Sequence, residues 1–165
     1  MAVEEHLPPR PPAIAPPSGG DALWGLGGLW IVRISGEQTG GSFSLMEVRM
    51  RRGTATPLHR HDEDDETFIV LEGQLALLAG GERVDAGPDA VVHLAGGEVH
   101  AWRVESDEAR FLIIATPQHE AFYRACCTPA ESLTQPPNPG ELDLDIIIPA
   151  GERHGVEILA PPPDY

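Results

Sequence analysis

The sequence predicts an all-β domain, a sandwich or barrel built from short strands. Three observations carry this. Short β-branched and apolar runs follow one another along most of the chain, and Gly-rich turns punctuate them at close intervals. The third is size: 165 residues and 17.7 kDa, with 41% hydrophobic content, supply one core and not two.

Residues 1–20 hold Pro8, Pro9, Pro11, Pro12, Pro16 and Pro17. These fix φ and remove backbone donors, so the stretch is an extended or disordered arm and not core strand. The runs Leu29–Ser35 and Ser42–Met50, parted by the turn sequence GEQTGG, are the first two strands. Thr67–Leu71, Gln74–Leu78, Val91–Leu94, His100–Val104 and Arg110–Thr116 continue the series. Beyond Pro117, Ala121, Phe122, Ala125 and Cys126 share one helical face, which predicts a short helix. Thr128–Gly140 reads as a Pro-rich linker. The last segment is expected to carry a helix around Glu141–His154, interrupted by Pro149 unless that residue sits in a first turn, and a short strand over Val156–Leu159. The expected organisation is a Pro-rich arm over 1–20, a barrel over 21–117, and a C-terminal helix, linker and tail over 118–165 packed on the barrel.

Charge excludes whole classes of partner. With 26 Asp and Glu against 11 basic residues, the net charge of −15 repels phosphate backbones and anionic headgroups. Nucleic acid and membrane surfaces are therefore not expected partners. No apolar run approaches the roughly 20 residues that span a bilayer, and the opening MAVEEHLPPR lacks the basic start and apolar stretch of an export signal. A cytoplasmic location is expected. All 11 basic residues are Arg, a bias of GC-rich bacterial coding that also excludes Schiff-base chemistry, which needs a lysine amine. Cys126 and Cys127 are neighbours with no second pair to bridge, and read as incidental thiols.

The informative stretch is GTATPLHRHDEDDETFIVLEG, from Gly53 to Gly73. In a strand, residues two apart project to one face, so His59 and His61 share a target while Arg60 turns away. The acids from Asp62 to Asp65 read as a solvated turn. After it, Glu66 opens the next strand and can return beside the histidines as in a hairpin, with Phe68 and Val70 on its face. His100 follows the AGGEV turn and shares a face with Trp102 and Val104. Three neutral imidazoles and one carboxylate suit one divalent transition metal ion, Mn, Fe, Co, Ni, Cu or Zn, and fit Mg or Ca poorly. Glu66 is the candidate catalytic group, as a ligand or as a carboxylate that stands off the metal and handles protons. Met46, Val48 and Met50 alternate onto one face. Met46, Met50, Phe68, Trp102 and His93 are the candidate substrate-pocket residues, read first as barrel filling. His6, His119 and His154 read as surface residues.

Gly53-x5-His59-x-His61-x4-Glu66-x6-Gly73 resembles the first motif of the cupins, and Gly87–His100 resembles the second, with departures at Asp89, Ala95 and Val104. The resemblance, to small single-domain cupins of the quercetin 2,3-dioxygenase-like kind, runs over roughly Ala22 to Thr116. It implies a double-stranded β-helix, a jelly-roll barrel, holding a metal through His59, His61, Glu66 and His100. It also implies a dioxygenase that cleaves or oxidises a small enolisable or phenolic compound, flavonol- or polyketide-like, with dioxygen as co-substrate. Two other readings remain open: a non-redox isomerase or cyclase using the metal as Lewis acid, and a barrel that binds a small molecule without turnover. Unpaired sheet edges left by the N-terminal strands and the Pro-interrupted tail of a lone barrel point to a homodimer.

Overall fold

The computed structural model describes residues 10–138 and 141–164. The expected arm is thus described only from Arg10 on, and His6, Pro8 and Pro9 lie outside the described residues.

The chain runs as β1 (Asp21–Gly25), β2 (Gly28–Ile34), β3 (Ser44–Arg51), β4 (Leu58–His61), β5 (Glu66–Glu72), β6 (Leu75–Ala79) and β7 (Glu82–Ala86). It continues through β8 (Val91–Leu94), β9 (His100–Val104), β10 (Glu108–Ala115), α1 (Pro117–Cys126), β11 (Thr128–Pro129), α2 (Leu144–His154) and β12 (Val156–Ala160). Seven strands form one sheet in the order β11-β1-β2-β3-β10-β5-β8, and five form the other in the order β12-β4-β9-β6-β7. Pairing is antiparallel throughout both sheets. The result is a jelly-roll β-barrel, the all-β class the sequence predicts.

Alternation fills the space between the sheets. Met46, Val48 and Met50 of β3, Phe68 and Val70 of β5, and Phe111 and Ile113 of β10 are fully buried. They meet Leu75 and Leu77 of β6 and Trp102 of β9 from the opposite sheet, and the Trp102 and Phe111 rings pack edge to face at 5.4 Å. Each such side chain contributes roughly 1.5–3 kcal/mol on burial.

Two expectations about connectivity change. β4 and β5 are not hairpin partners: β4 pairs with β9 and β12, whereas β5 pairs with β10 and β8. The acidic turn therefore crosses between sheets, as the jelly-roll winding requires. Asp64 within it is buried, unlike Asp62, Glu63 and Asp65, and accepts a 2.5 Å bond from Thr116 Oγ1. Motif glycines mark backbone that other residues strain. Gly73 has φ 82°, and a Cβ there would meet the Glu108 carbonyl oxygen at 2.2 Å. Asp89, at a usual glycine position of the second motif, itself takes φ 68°, which Asp tolerates better than most residues.

The strands β1, β7 and β11 were not legible beforehand, and the first helix is rotated from its expected face. Pro117 starts α1 and Thr116 caps it, its Oγ1 accepting from His119 N–H. The helix buries His119, Glu120, Phe122 and Tyr123, while Ala125 is exposed. Helix α2 runs through Pro149 instead of breaking there. Pro149 and Asp145, whose carbonyl loses its i+4 donor, are both exposed, so solvent can supply what the ring removes. Asp143 caps the start of α2, and Gly155, at φ 70°, ends it before β12 pairs with β4. Among the described residues no helix is long and apolar enough to cross a membrane.

Candidate metal centre

β4 supplies His59 and His61, on one face because they are two residues apart, with Arg60 between them exposed. Across the ladder, His100 of β9 stands directly opposite His59. Their ring centroids are 4.3 Å apart, and His61 lies 5.1 Å from His59 and 4.9 Å from His100. Glu66 enters from β5 in the other sheet, with Oε2 3.4 Å from His100 Nε2. All four side chains are buried.

Orientation is fixed from behind. His59 Nδ1 donates to the Pro57 carbonyl and His100 Nδ1 to the Glu98 carbonyl, each at 2.8 Å, which turns each Nε2 toward the cluster. Among the described residues, neither ring nitrogen of His61, nor Nε2 of His100, has a hydrogen-bond partner. A nitrogen of each of His59, His61 and His100 falls within 4.8 Å of the others. Nitrogens bound at about 2.1 Å to one ion are at most about 4.2 Å apart, so small side-chain shifts bring these three onto a common cation. Buried lone pairs without donors, converging beside a carboxylate, fit a divalent transition metal.

The protonation states agree. Burial, with His100 beside it, pushes His59 down to about 4. Burial and His119 take His61 to about 2. Both are neutral, the form that ligates. Burial alone would raise the Glu66 carboxyl, but contact with His100 and the surrounding histidines holds it below its ordinary value. His100 is raised despite burial, because Glu66 stabilises its charged form.

His119 is the residue the sequence reading missed. It is 1% exposed, its ring lies 4.1 Å from that of His61, and its Nε2 is 2.7 Å from the Tyr123 hydroxyl. That hydroxyl in turn donates to Glu66 Oε1 at 3.3 Å. The available signal was spacing: His119, Phe122 and Tyr123, at i, i+3 and i+4, form one helical face. Burial brings His119 down to about 3, with His59 and His100 adding to the shift. Burial first, and the Glu66 charge second, push the Tyr123 phenol well above its usual value, so it stays a donor.

The cluster opens into an apolar cavity. His59, His61 and His119 meet Trp30, Trp102, Phe122, Tyr123, Ile147 and Ile158 on its walls, so α1, α2 and β12 close over the barrel mouth. With its opening the space amounts to about 500 Å³. Of the expected pocket residues, only Trp102 lines this cavity. Met46, Met50 and Phe68 are fully buried deeper in the barrel, as filling. His93 points the other way: it is exposed on β8, 2.9 Å from Thr67 Oγ1, because strand parity puts Leu94 inside instead.

Residues 46–115 match the family described as Cupin domain. Quercetin 2,3-dioxygenase of Bacillus subtilis (strain 168) is 26% identical over 126 residues, 76% of this chain. The chain spans 37% of that relative's length. Among solved structures, the polyketide cyclase RemF from Streptomyces resistomycificus is similar with a TM-score of 0.50 at 21% identity, over 73% of this chain and 78% of its own. KdgF from Halomonas sp. also gives 0.50, at 16% identity, over 55% of this chain and 79% of its own. At these identities both structures speak to the fold alone.

Proposed function

Since residues 46–115 are a cupin domain, similar to that of a quercetin dioxygenase, we propose that this protein is a metal-dependent dioxygenase. Its substrate is a small enolisable or phenolic compound, flavonol- or polyketide-like. The observation that carries the reading is the buried cluster of three imidazoles and one carboxylate at the base of a cavity walled by two tryptophans. His59, His61, His100 and Glu66 would hold a divalent transition metal, which when bound supplies Lewis acidity toward a substrate oxygen and, for a redox-active ion, electron transfer.

The chain's own residues do the rest. Trp30, Trp102 and Phe122 offer flat apolar faces for an aromatic ring. Ile147, Ile158 and Val156 keep water from it. Glu66, ionised and buried beside His100, accepts the proton of the substrate hydroxyl. Tyr123 holds the carboxylate in place by its hydrogen bond to Oε1.

One observation favours a second reading, a non-redox isomerase or cyclase: the chain Glu66–Tyr123–His119 can hold and move a proton without any electron transfer. An oxygen electrode separates the two. The dioxygenase reading predicts that metal-loaded protein consumes one oxygen molecule for each flavonol or polyketide-like phenol lost. Substrate loss without oxygen uptake would favour the isomerase or cyclase, and binding without turnover would sink both enzymatic readings. We infer also a homodimer that covers outer strands such as β8 and β7. Light scattering would then give about twice the 17.7 kDa of one chain, and a 17.7 kDa species would refute it.

A further inference from the structure

We propose that His119 is an additional nitrogen donor of the metal centre, so that helix α1, outside both sheets, completes a site begun by the barrel. This rests on the reading that His59, His61, His100 and Glu66 hold a metal.

Two donor groups overlap here. His61, Glu66 and His119 have ligand atoms within 4.8 Å of one another, as do His59, His61 and His100, and His61 belongs to both groups. Glu66 also touches both, with Oε2 3.4 Å from His100 Nε2 and Oε1 3.6 Å from His119 Nε2. His119 Nδ1 is buried and, among the described residues, has no hydrogen-bond partner, as is true of both nitrogens of His61. A histidine kept only for packing gains nothing from an unsatisfied nitrogen beside three other imidazoles; a donor to a cation needs that free lone pair.

The ring is also held as ligands are held. Tyr123, one turn further along α1, fixes His119 Nε2 at 2.7 Å, the service that Pro57 and Glu98 carbonyls perform for His59 and His100. The helix itself is fastened at its start. Thr116 caps it while donating to Asp64, and Glu120 accepts from Ser44 Oγ at 2.5 Å and Gly36 N–H at 2.8 Å. His119 therefore stays beside the cluster. With four imidazoles as donors, the ion stays held when Glu66 leaves it to take a proton.

Pulsed electron paramagnetic resonance on the full chain loaded with Cu(II) counts coordinated imidazoles directly. We expect four in the wild type and three in His119→Ala and in His119→Phe, the latter refilling the buried volume. Cu(II) affinity should fall at least about tenfold in both. His93→Ala, altered at an exposed position on β8, should still show four. Three imidazoles in the wild type would overturn the proposal while leaving the barrel ligands standing, and this count needs no variant to fold. Fewer than three, or no Cu(II) bound, would overturn the metal-centre reading with it.

Discussion

Glu66 is gripped from two sides: Oε2 lies 3.4 Å from His100 Nε2 on β9, and Oε1 accepts from the Tyr123 hydroxyl on α1. One carboxylate thus joins the two sheets to the helix that closes the barrel. Glu66→Gln keeps the shape and loses the charge. We expect it to retain metal with affinity weaker by about 10–100-fold and to lower kcat by about 10²–10⁴. Metal titration beside steady-state kinetics checks both, and unchanged kcat would remove Glu66 from proton transfer.

Ile147, buried on α2, lines the same cavity as His59, His61 and His119. Ile147→Trp should fill the space and weaken flavonol binding by about tenfold or more, about 1.4 kcal/mol, while metal content stays at the wild-type level. Quenching of Trp30 and Trp102 fluorescence reports the binding. Equal affinity in the variant would place the substrate elsewhere.

Glu120 fastens α1 to the barrel through Ser44, the Gly36 N–H and Arg124. Removing it strands buried donors, so Glu120→Ala should destabilise the fold by about 2–4 kcal/mol in urea denaturation. A loss below about 0.5 kcal/mol would show that the helix is held by its apolar face alone.

Stability of the metal-free protein should fall with acid. His59, His61 and His119 are held down to about 4, 2 and 3, whereas the unfolded chain protonates them from about 6.5 downward. The unfolded state therefore binds more protons in this window, and stability is lost as pH drops from 6.5 toward 4. His100, raised by Glu66, runs the opposite way: its contribution is present at low pH and lost as pH rises through its folded value. Glu66, held low, contributes above its ordinary carboxyl value and loses that as pH falls further. Three histidines against one set the sign, so Tm after chelation should be lower at pH 5 than at pH 7.5. A flat or reversed profile would contradict the buried neutral cluster.

The barrel was legible because its strands obey period two. Met46, Val48 and Met50 alternate inward as written, and Glu66 stands at the head of its strand with Phe68 and Val70 on the same buried face. His59 and His61 could be placed together by i, i+2 parity, a local property, whereas His100 joins them only through the resemblance of its stretch to the second cupin motif. What lay beyond reach was relation between distant segments. Nothing local says that β4 and β5 belong to different sheets, or that β12 returns from beyond a proline-containing helix to pair with β4. His93 was misjudged because a one-residue change in strand parity reverses the face. His119 is not legible because the apolar pattern Ala121, Phe122, Ala125 and Cys126 points to another face of α1, and hydropathy alone leaves out the polar residues that the cluster buries.

Whether His59, His61 and His100, with Glu66, hold one metal ion is read by elemental analysis of protein purified without added metal, set against the His59→Ala, His61→Ala double variant. We expect about one transition-metal ion per wild-type chain and less than about a tenth of that in the variant. Equal metal content in the two proteins would rule out this ligand set.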